Sequence, residues 1–227
     1  MKFGIIKERK NPPDRRVVFT PEELVRLQSE HPEAEIKVES SDIRIFSDDQ
    51  YRNLGLNVTA EMSDCDVLFG VKEVPVDALI PNKKYFFFSH TIKKQPYNRK
   101  LLKAILDKNI ELYDHETIVD ATNHRLIGFG RYAGLVGAYN GFRGFGIKYD
   151  LFTLPKAETL SGKEDLIARL KRQTLPNIKI VLTGHGKVGM GAKEILDGIK
   201  IKQVSVEDFL NKNYTEPVYT QIDVLDY

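Results

Sequence analysis

The sequence predicts an α/β protein: an N-terminal domain built on a parallel sheet, followed by the first part of a second α/β domain. Three observations carry this. Nearly continuous apolar runs occur at 66–71, 85–89 and 110–113, the pattern of strands buried on both faces. Apolar residues at helical spacing separate them, as at Leu101, Leu102, Ile105 and Leu106. A glycine turn at 184–189 then joins an apolar run to a helical segment, which restarts the β–α alternation.

In order along the chain, residues 3–6 form a short buried strand. A polar loop at 8–17 carries Pro12-Pro13 and then Asp14, Arg15 and Arg16. Thr20-Pro21-Glu22-Glu23 is a helix start, with threonine as N-cap, proline first and glutamate third. Residues 35–38 read as a strand and 48–54 as a short helix. The stretch 128–146 is dense in glycine. Gly134, Gly137, Gly141 and Gly144 step by three or four and would make one bare stripe on a helix. A loop is the competing reading, since glycine weakens helices. The periodicity favours a helix that something packs against closely, connecting two domains. Residues 150–177 read as a surface linker with one helix at 163–171. A strand at 178–183, the glycine turn, a helix at 190–196, a strand at 201–204, a short helix at 206–210 and a strand at 218–222 complete the chain. The expected division is a first domain at 1–130, a connector helix at 131–150 and the second domain at 151–227.

Composition excludes several classes. Lys+Arg number 34 against 32 Asp+Glu, a net charge of +2, which lacks the cation surplus of a dedicated nucleic-acid binder. Hydrophobic residues are 41% of the chain, enough for a packed core. Cys65 is the only cysteine, so neither an internal disulfide framework nor a cysteine-rich zinc site is expected. It reads as a small core residue. The histidines at 31, 90, 115, 124 and 185 are scattered, so no metal site is predicted. The longest apolar runs fall far short of the ~20 residues of a membrane helix. The start, Met1-Lys2-Phe3-Gly4-Ile5-Ile6-Lys7-Glu8, meets charge at once, unlike a signal peptide. The expectation is a soluble, cytoplasmic, globular protein with a small-molecule substrate.

The turn Gly184-His185-Gly186-Lys187-Val188-Gly189 follows a strand and opens a helix, the context a dinucleotide site requires. Gly184 permits the tight turn, Gly186 lets backbone approach a pyrophosphate, and Gly189 allows close helix–strand contact. Lys187 and Val188 belong to the same turn, and the N-terminus of the helix it opens favours an anion. An ordinary βα turn with glycines for packing is the alternative. The acid that reads the ribose should stand at the end of the second strand. That strand ends at Val204-Ser205, and Glu207 and Asp208 come slightly late. The choice between NAD and NADP therefore stays open. Roughly 50 residues follow Ile178, enough for one βαβαβ half of a dinucleotide domain.

Ligands of parallel α/β sheets gather at the carboxyl ends of the strands, and three such ends carry ionisable groups. Lys72-Glu73 follow the first run, His90 the second, and His115-Glu116 the third. If these strands are neighbours, Lys72, His90 and Glu116 line one edge. A lysine or histidine poised there can act as a base near neutral pH. Arg16 and Arg125 can each fork a carboxylate. The bland alternatives are a solvated Lys72-Glu73 pair, a histidine satisfied at the core margin and a surface arginine.

Several motifs in order carry a resemblance: Asp14-Arg15-Arg16 with Thr20-Pro21; Gly70-Val71-Lys72-Glu73-Val74-Pro75; Phe88-Ser89-His90-Thr91-Ile92-Lys93-Lys94-Gln95; and Phe129-Gly130 with Tyr132-Ala133-Gly134 in the stretch that begins at Arg125. Over residues 3 to about 200 the chain resembles the saccharopine dehydrogenase (lysine-forming) and lysine–2-oxoglutarate reductase family. Its wider relatives are alanine dehydrogenase and the N-terminal domain of pyridine nucleotide transhydrogenase. The resemblance implies a substrate domain followed by a partial Rossmann-type domain. It implies an NAD- or NADP-dependent oxidoreductase that interconverts saccharopine with lysine plus 2-oxoglutarate. Lys72 would take the proton of the secondary amine and His90 would activate water. Glu73 and Glu116 would tune those two groups, and Arg16, Gln95, Arg125 and Phe129 would bind substrate. The family continues beyond this length, so the chain is expected to be an N-terminal portion, with room for a complementary chain or a homo-oligomer. An alanine-type amino-acid dehydrogenase and a non-catalytic ligand- or partner-binding homologue are the rival expectations.

Overall fold

The structure is a computed structural model that describes residues 1–226. The chain divides into two compact units, Met1–Gly128 and Phe129–Tyr227.

The first unit runs β1 (Lys2–Ile5), α1 (Pro21–Glu30), β2 (Glu35–Glu39), α2 (Asp48–Arg52), β3 (Asn57–Thr59), β4 (Val67–Phe69), β5 (Lys84–Phe87), α3 (Arg99–Asp107) and β6 (Glu111–Asp114). Its six strands pair in parallel in the order β3-β2-β1-β4-β5-β6. The order reverses between β1 and β4, so a ligand crevice is expected outside the carboxyl ends of those two strands. The predicted start of α1 is a complete capping box: Glu23 N–H donates to Thr20 Oγ1 at 3.2 Å and Thr20 N–H to Glu23 Oε2 at 2.7 Å. Ser47 and Gln50 repeat the device at α2. The three-residue β3, half polar and at the sheet edge, carries no run long enough to have been predicted.

Side chains alternate across the sheet. Leu68, Tyr85 and Phe87 enter one core with Leu101 and Ile105 of α3. Cys65 is fully buried in this core, and burial pushes its thiol pKa up. On the other face Ile5, Ile36 and Val38 pack on Leu24 and Tyr51. There Phe69, Phe86 and Tyr113 stack across three strands with centroids 4.7 and 4.6 Å apart. Tyr113 at the edge is 41% exposed, so this face is covered less completely than the apolar runs predicted.

The second unit runs α4 (Gly130–Lys148), α5 (Lys163–Lys171), β7 (Lys179–Thr183), α6 (Lys187–Gly198), β8 (Lys202–Gln203), α7 (Val206–Asn211) and β9 (Val218–Ile222). The glycine-rich stretch is a helix, but its glycines are not one docking stripe. A Cβ at Gly134 would lie 2.0 Å from the Val188 carbonyl oxygen, whereas Gly137, Gly141 and Gly144 meet nothing within 4 Å. The close approach is a crossing of α4 with α6 at Gly134 and Gly191, where a Cβ on Gly191 would lie 2.1 Å from the Arg131 carbonyl oxygen. Nor is 150–177 only a surface linker: Leu154, Leu166 and Leu170 join Tyr139, Ile195 and Tyr219 in the core.

The sheet of this unit corrects a further expectation. A usual dinucleotide-binding half orders its strands 3-2-1, whereas here all three are parallel in the order β7-β9-β8. Burial explains the inversion. Val218, Tyr219 and Thr220 of β9 are almost wholly buried and suit a central strand, while Lys202 and Gln203 of β8 are exposed and suit an edge. Tyr219 fixes the arrangement: its hydroxyl donates to Asp197 Oδ1 at 2.6 Å, accepts from Lys193 Nζ at 2.8 Å, and lies 3.2 Å from Gln203 Oε1.

Candidate functional site

In the first unit the parallel strands β4, β5 and β6 end side by side, and the residues just beyond them converge. Lys72 and Glu73 follow β4, His90 follows β5, and Glu116 follows β6. His90 Nδ1 lies 3.0 Å from Glu116 Oε2, and Nε2 lies 3.9 Å from Glu73 Oε1. The imidazole thus sits between two carboxylates. Glu116 also meets Lys93 Nζ and an Arg125 guanidinium nitrogen, each at 3.3 Å. Glu73 pairs with Lys10 at 3.1 Å. It thus stands between His90 and Lys10.

Burial works against the charge of Glu116, but hydrogen bonds from His90 and Lys93 outweigh it and hold the carboxyl below the usual glutamate range. His90 is held in an uncommon conformation, φ +57°, which costs a residue with a Cβ roughly 1–2 kcal/mol. Its carbonyl accepts from Asn98 Nδ2 at 3.2 Å, and its ring stacks near Phe88 with centroids 6.2 Å apart.

Buried carboxylates that the sequence reading passed over position these groups. Asp114, the last residue of β6, is buried and accepts from the Ser89 hydroxyl; its Oδ1 accepts from the Glu116 N–H at 2.8 Å. One side chain therefore ties the His90 loop to the Glu116 loop. Glu8 follows β1 and accepts from the N–H groups of Val71 and Lys72 at 2.7 and 2.8 Å. It bridges the crevice where the strand order reverses and fixes the backbone that presents Lys72. Burial pushes its carboxyl pKa up, against the lowering effect of those two N–H donors. An acid at the end of a strand, or within three residues of it, was the available signal for both residues.

The other predicted residues are more dispersed. Arg16 is forked onto Asp14, with Nε 3.0 Å from Oδ1, and that hydrogen bond is the main reason the Asp14 carboxyl lies below its usual range. The charges of Glu8 and Lys72 act on this pair, which places it on the Lys72 side of the crevice. Gln95 accepts from the Tyr97 hydroxyl at 2.6 Å and lines a separate groove with Lys94 and Arg99. Phe129 is the N-cap residue of α4 in the second unit.

The glycine turn belongs to the second unit. Gly184 has φ +84°, open to glycine and strained for other residues. A Cβ at Gly189 would lie 2.2 Å from the Gly184 carbonyl oxygen, so only glycine lets α6 start this close to β7. Gly186 is the N-cap; it places no side chain on the first-turn N–H groups and faces open space. Lys187 and Val188 open α6, so the helix begins three residues earlier than predicted. The start of a twelve-residue helix with no side-chain cap suits a pyrophosphate. The acids Glu207 and Asp208 stand within α7, beyond the outer strand β8, and Ser205 caps that helix.

Comparison with known proteins places this architecture. Residues 4–136 match the family model described as alanine dehydrogenase/PNT, N-terminal domain. The chain is 31% identical over 214 residues to an alpha-aminoadipic semialdehyde synthase of Arabidopsis thaliana, covering 85% of this chain and 20% of that protein. It is 27% identical over 192 residues to a saccharopine dehydrogenase [NAD(+), L-lysine-forming] of Yarrowia lipolytica, covering 76% of this chain and 51% of that protein. The chain thus spans between a fifth and about half the length of these relatives. Among solved structures an L-alanine dehydrogenase shares the fold with TM-score 0.63 at 19% identity, over 96% of this chain and 60% of the other.

Proposed function

Because the chain belongs to the alanine dehydrogenase/PNT N-terminal domain family, we propose that it serves a nicotinamide-dependent oxidoreductase acting on the secondary amine of saccharopine, interconverting it with lysine plus 2-oxoglutarate. The observation that carries the reading is the meeting of His90, Glu73 and Glu116 beyond three adjacent parallel strands, with Lys72 beside Glu73 in the chain and held through its backbone by Glu8. Lys72 takes the proton of the substrate's secondary amine at its Nζ. The nicotinamide, when bound, supplies the hydride acceptor for the adjoining carbon. His90, set between Glu73 and Glu116, takes a proton from the water that adds to the resulting carbon–nitrogen double bond; carbon–nitrogen cleavage then separates lysine from 2-oxoglutarate. Arg16 and Arg125 are the candidate carboxylate partners, Arg16 giving up part of its fork on Asp14 and Arg125 its contact with Glu116. A substrate with three carboxylates suits a cleft with this many cations. Gln95, on the neighbouring groove of the first unit, is a further candidate contact. In the second unit, Gly184, Gly186, Lys187, Val188 and Gly189 are the residues that would hold the cofactor's pyrophosphate.

The test uses the protein made from its natural gene, with saccharopine and alanine as paired substrates and each nicotinamide cofactor. Saccharopine oxidation is expected without alanine oxidation. Lys72→Met is expected to lower kcat by about 10²–10⁴-fold, the usual worth of a positioned acid or base. Unchanged saccharopine turnover in that variant removes Lys72 from the chemistry.

A further inference from the structure

We infer that Asp223, directly after β9, is the carboxylate that reads the adenosine ribose of the dinucleotide and makes the site select NAD over NADP. The inference rests on the reading of the glycine turn as a cofactor cradle and deepens it.

The strand order carries the argument. A ribose-reading acid must stand at the carboxyl end of the strand beside the one that feeds the glycine turn. In a usual dinucleotide half that neighbour is the second strand. Here it is the third: β9 pairs along the full length of β7, with Thr183 opposite Ile222. The pairing continues into the turn itself, where Gly184 N–H donates to the Ile222 carbonyl at 2.7 Å and Gln221 Nε2 donates to the Gly184 carbonyl at 2.8 Å. The next residue after this clamp is Asp223. The end of β8 is one strand further out, roughly 10 Å from β7 at ordinary strand spacing, which accounts for the missing acid there.

The chemistry at Asp223 agrees. Its side chain is exposed, and Oδ1 accepts from the Val224 N–H at 2.7 Å, which orients the carboxylate at the strand end. An ionised carboxylate only accepts, so it pairs with the 2′- and 3′-hydroxyls of a ribose. It repels a 2′-phosphate, which carries close to two negative charges. Residues 218–226 hold a second acid, Asp226, and no lysine or arginine, so this segment itself brings no cation to such a phosphate.

ADP-ribose and its 2′-phosphorylated counterpart are the probes, since they report the adenosine end alone; calorimetric titration of the 227-residue chain gives their affinities. The wild type is expected to bind ADP-ribose at least about tenfold more tightly. Asp223→Asn keeps the acceptor for Val224 and is expected to erase most of that preference, with an unchanged Tm; Asp223→Ser serves the same purpose if the asparagine variant does not fold. Equal or inverted preference in the wild type, or a preference untouched by both substitutions, overturns the role of Asp223 while leaving the cradle standing. Failure of the wild type to bind either probe overturns the cradle, and the assignment with it.

Discussion

His90 lies between two carboxylates because three strands end together and because Asp114 ties two of the following loops to one buried side chain. Asp114→Ala leaves the Ser89 hydroxyl and the Glu116 N–H without their acceptor, so a loss of about 1–3 kcal/mol is expected in urea unfolding. The same cluster has a defined pH signature. The folded pKa of Glu116 is depressed, so its contribution to stability is present above the ordinary glutamate value near ~4.3. That contribution is lost as pH falls through the lower folded value. His90→Ala removes one of the hydrogen bonds responsible. Carbon-13 titration of the Glu116 carboxyl should then move up toward the ordinary value, and an unmoved titration would exclude His90 as a partner that matters. Lys72, His90 and Glu116 were legible as strand-end residues because apolar runs mark where strands stop. The inward-facing Asp114 and the bridging Glu8 were not singled out, because the sequence does not say which loop N–H groups a buried acid meets.

At the scale of elements, the glycines of α4 divide into two kinds that the sequence presents alike. Gly134 faces backbone of α6, and any side chain there forces the two helices apart. Gly134→Ala is expected to destabilise by about 1–3 kcal/mol, the range for overpacking. Gly141 is exposed and meets nothing, so Gly141→Ala should stabilise by about 0.5–1 kcal/mol through helix propensity. Thermal melts of the two variants shift in opposite directions if the crossing lies at Gly134; a loss at both would place a contact along the whole stripe. The position of β9 follows a similar logic. Central strands of parallel sheets are buried on both faces, and Val218 to Thr220 are buried where Lys202 and Gln203 are not.

For the whole molecule, each unit has a core of its own: two clusters flank the six-stranded sheet, and one fills the second unit. The six strands of the first sheet all lie within residues 1–128. Expressed alone, this segment is expected to unfold in one cooperative transition followed by circular dichroism; a broad, non-cooperative melt would show that its sheet depends on residues outside it. Among the described residues no helix is long and apolar enough to cross a membrane.

The sequence by itself determined the elements, the parallel sheets, the capping boxes and the strand ends at which the charged residues stand. These are local matters of periodicity, cap chemistry and apolar run length, and each is written within a few consecutive residues. Only the tertiary structure decided which of the glycines touch backbone, that Glu73 faces His90 and Lys10, and that β9 displaces β8 from the side of β7. Those outcomes depend on competition between distant segments for the same buried place. The winner is set by relative burial, which no single segment records.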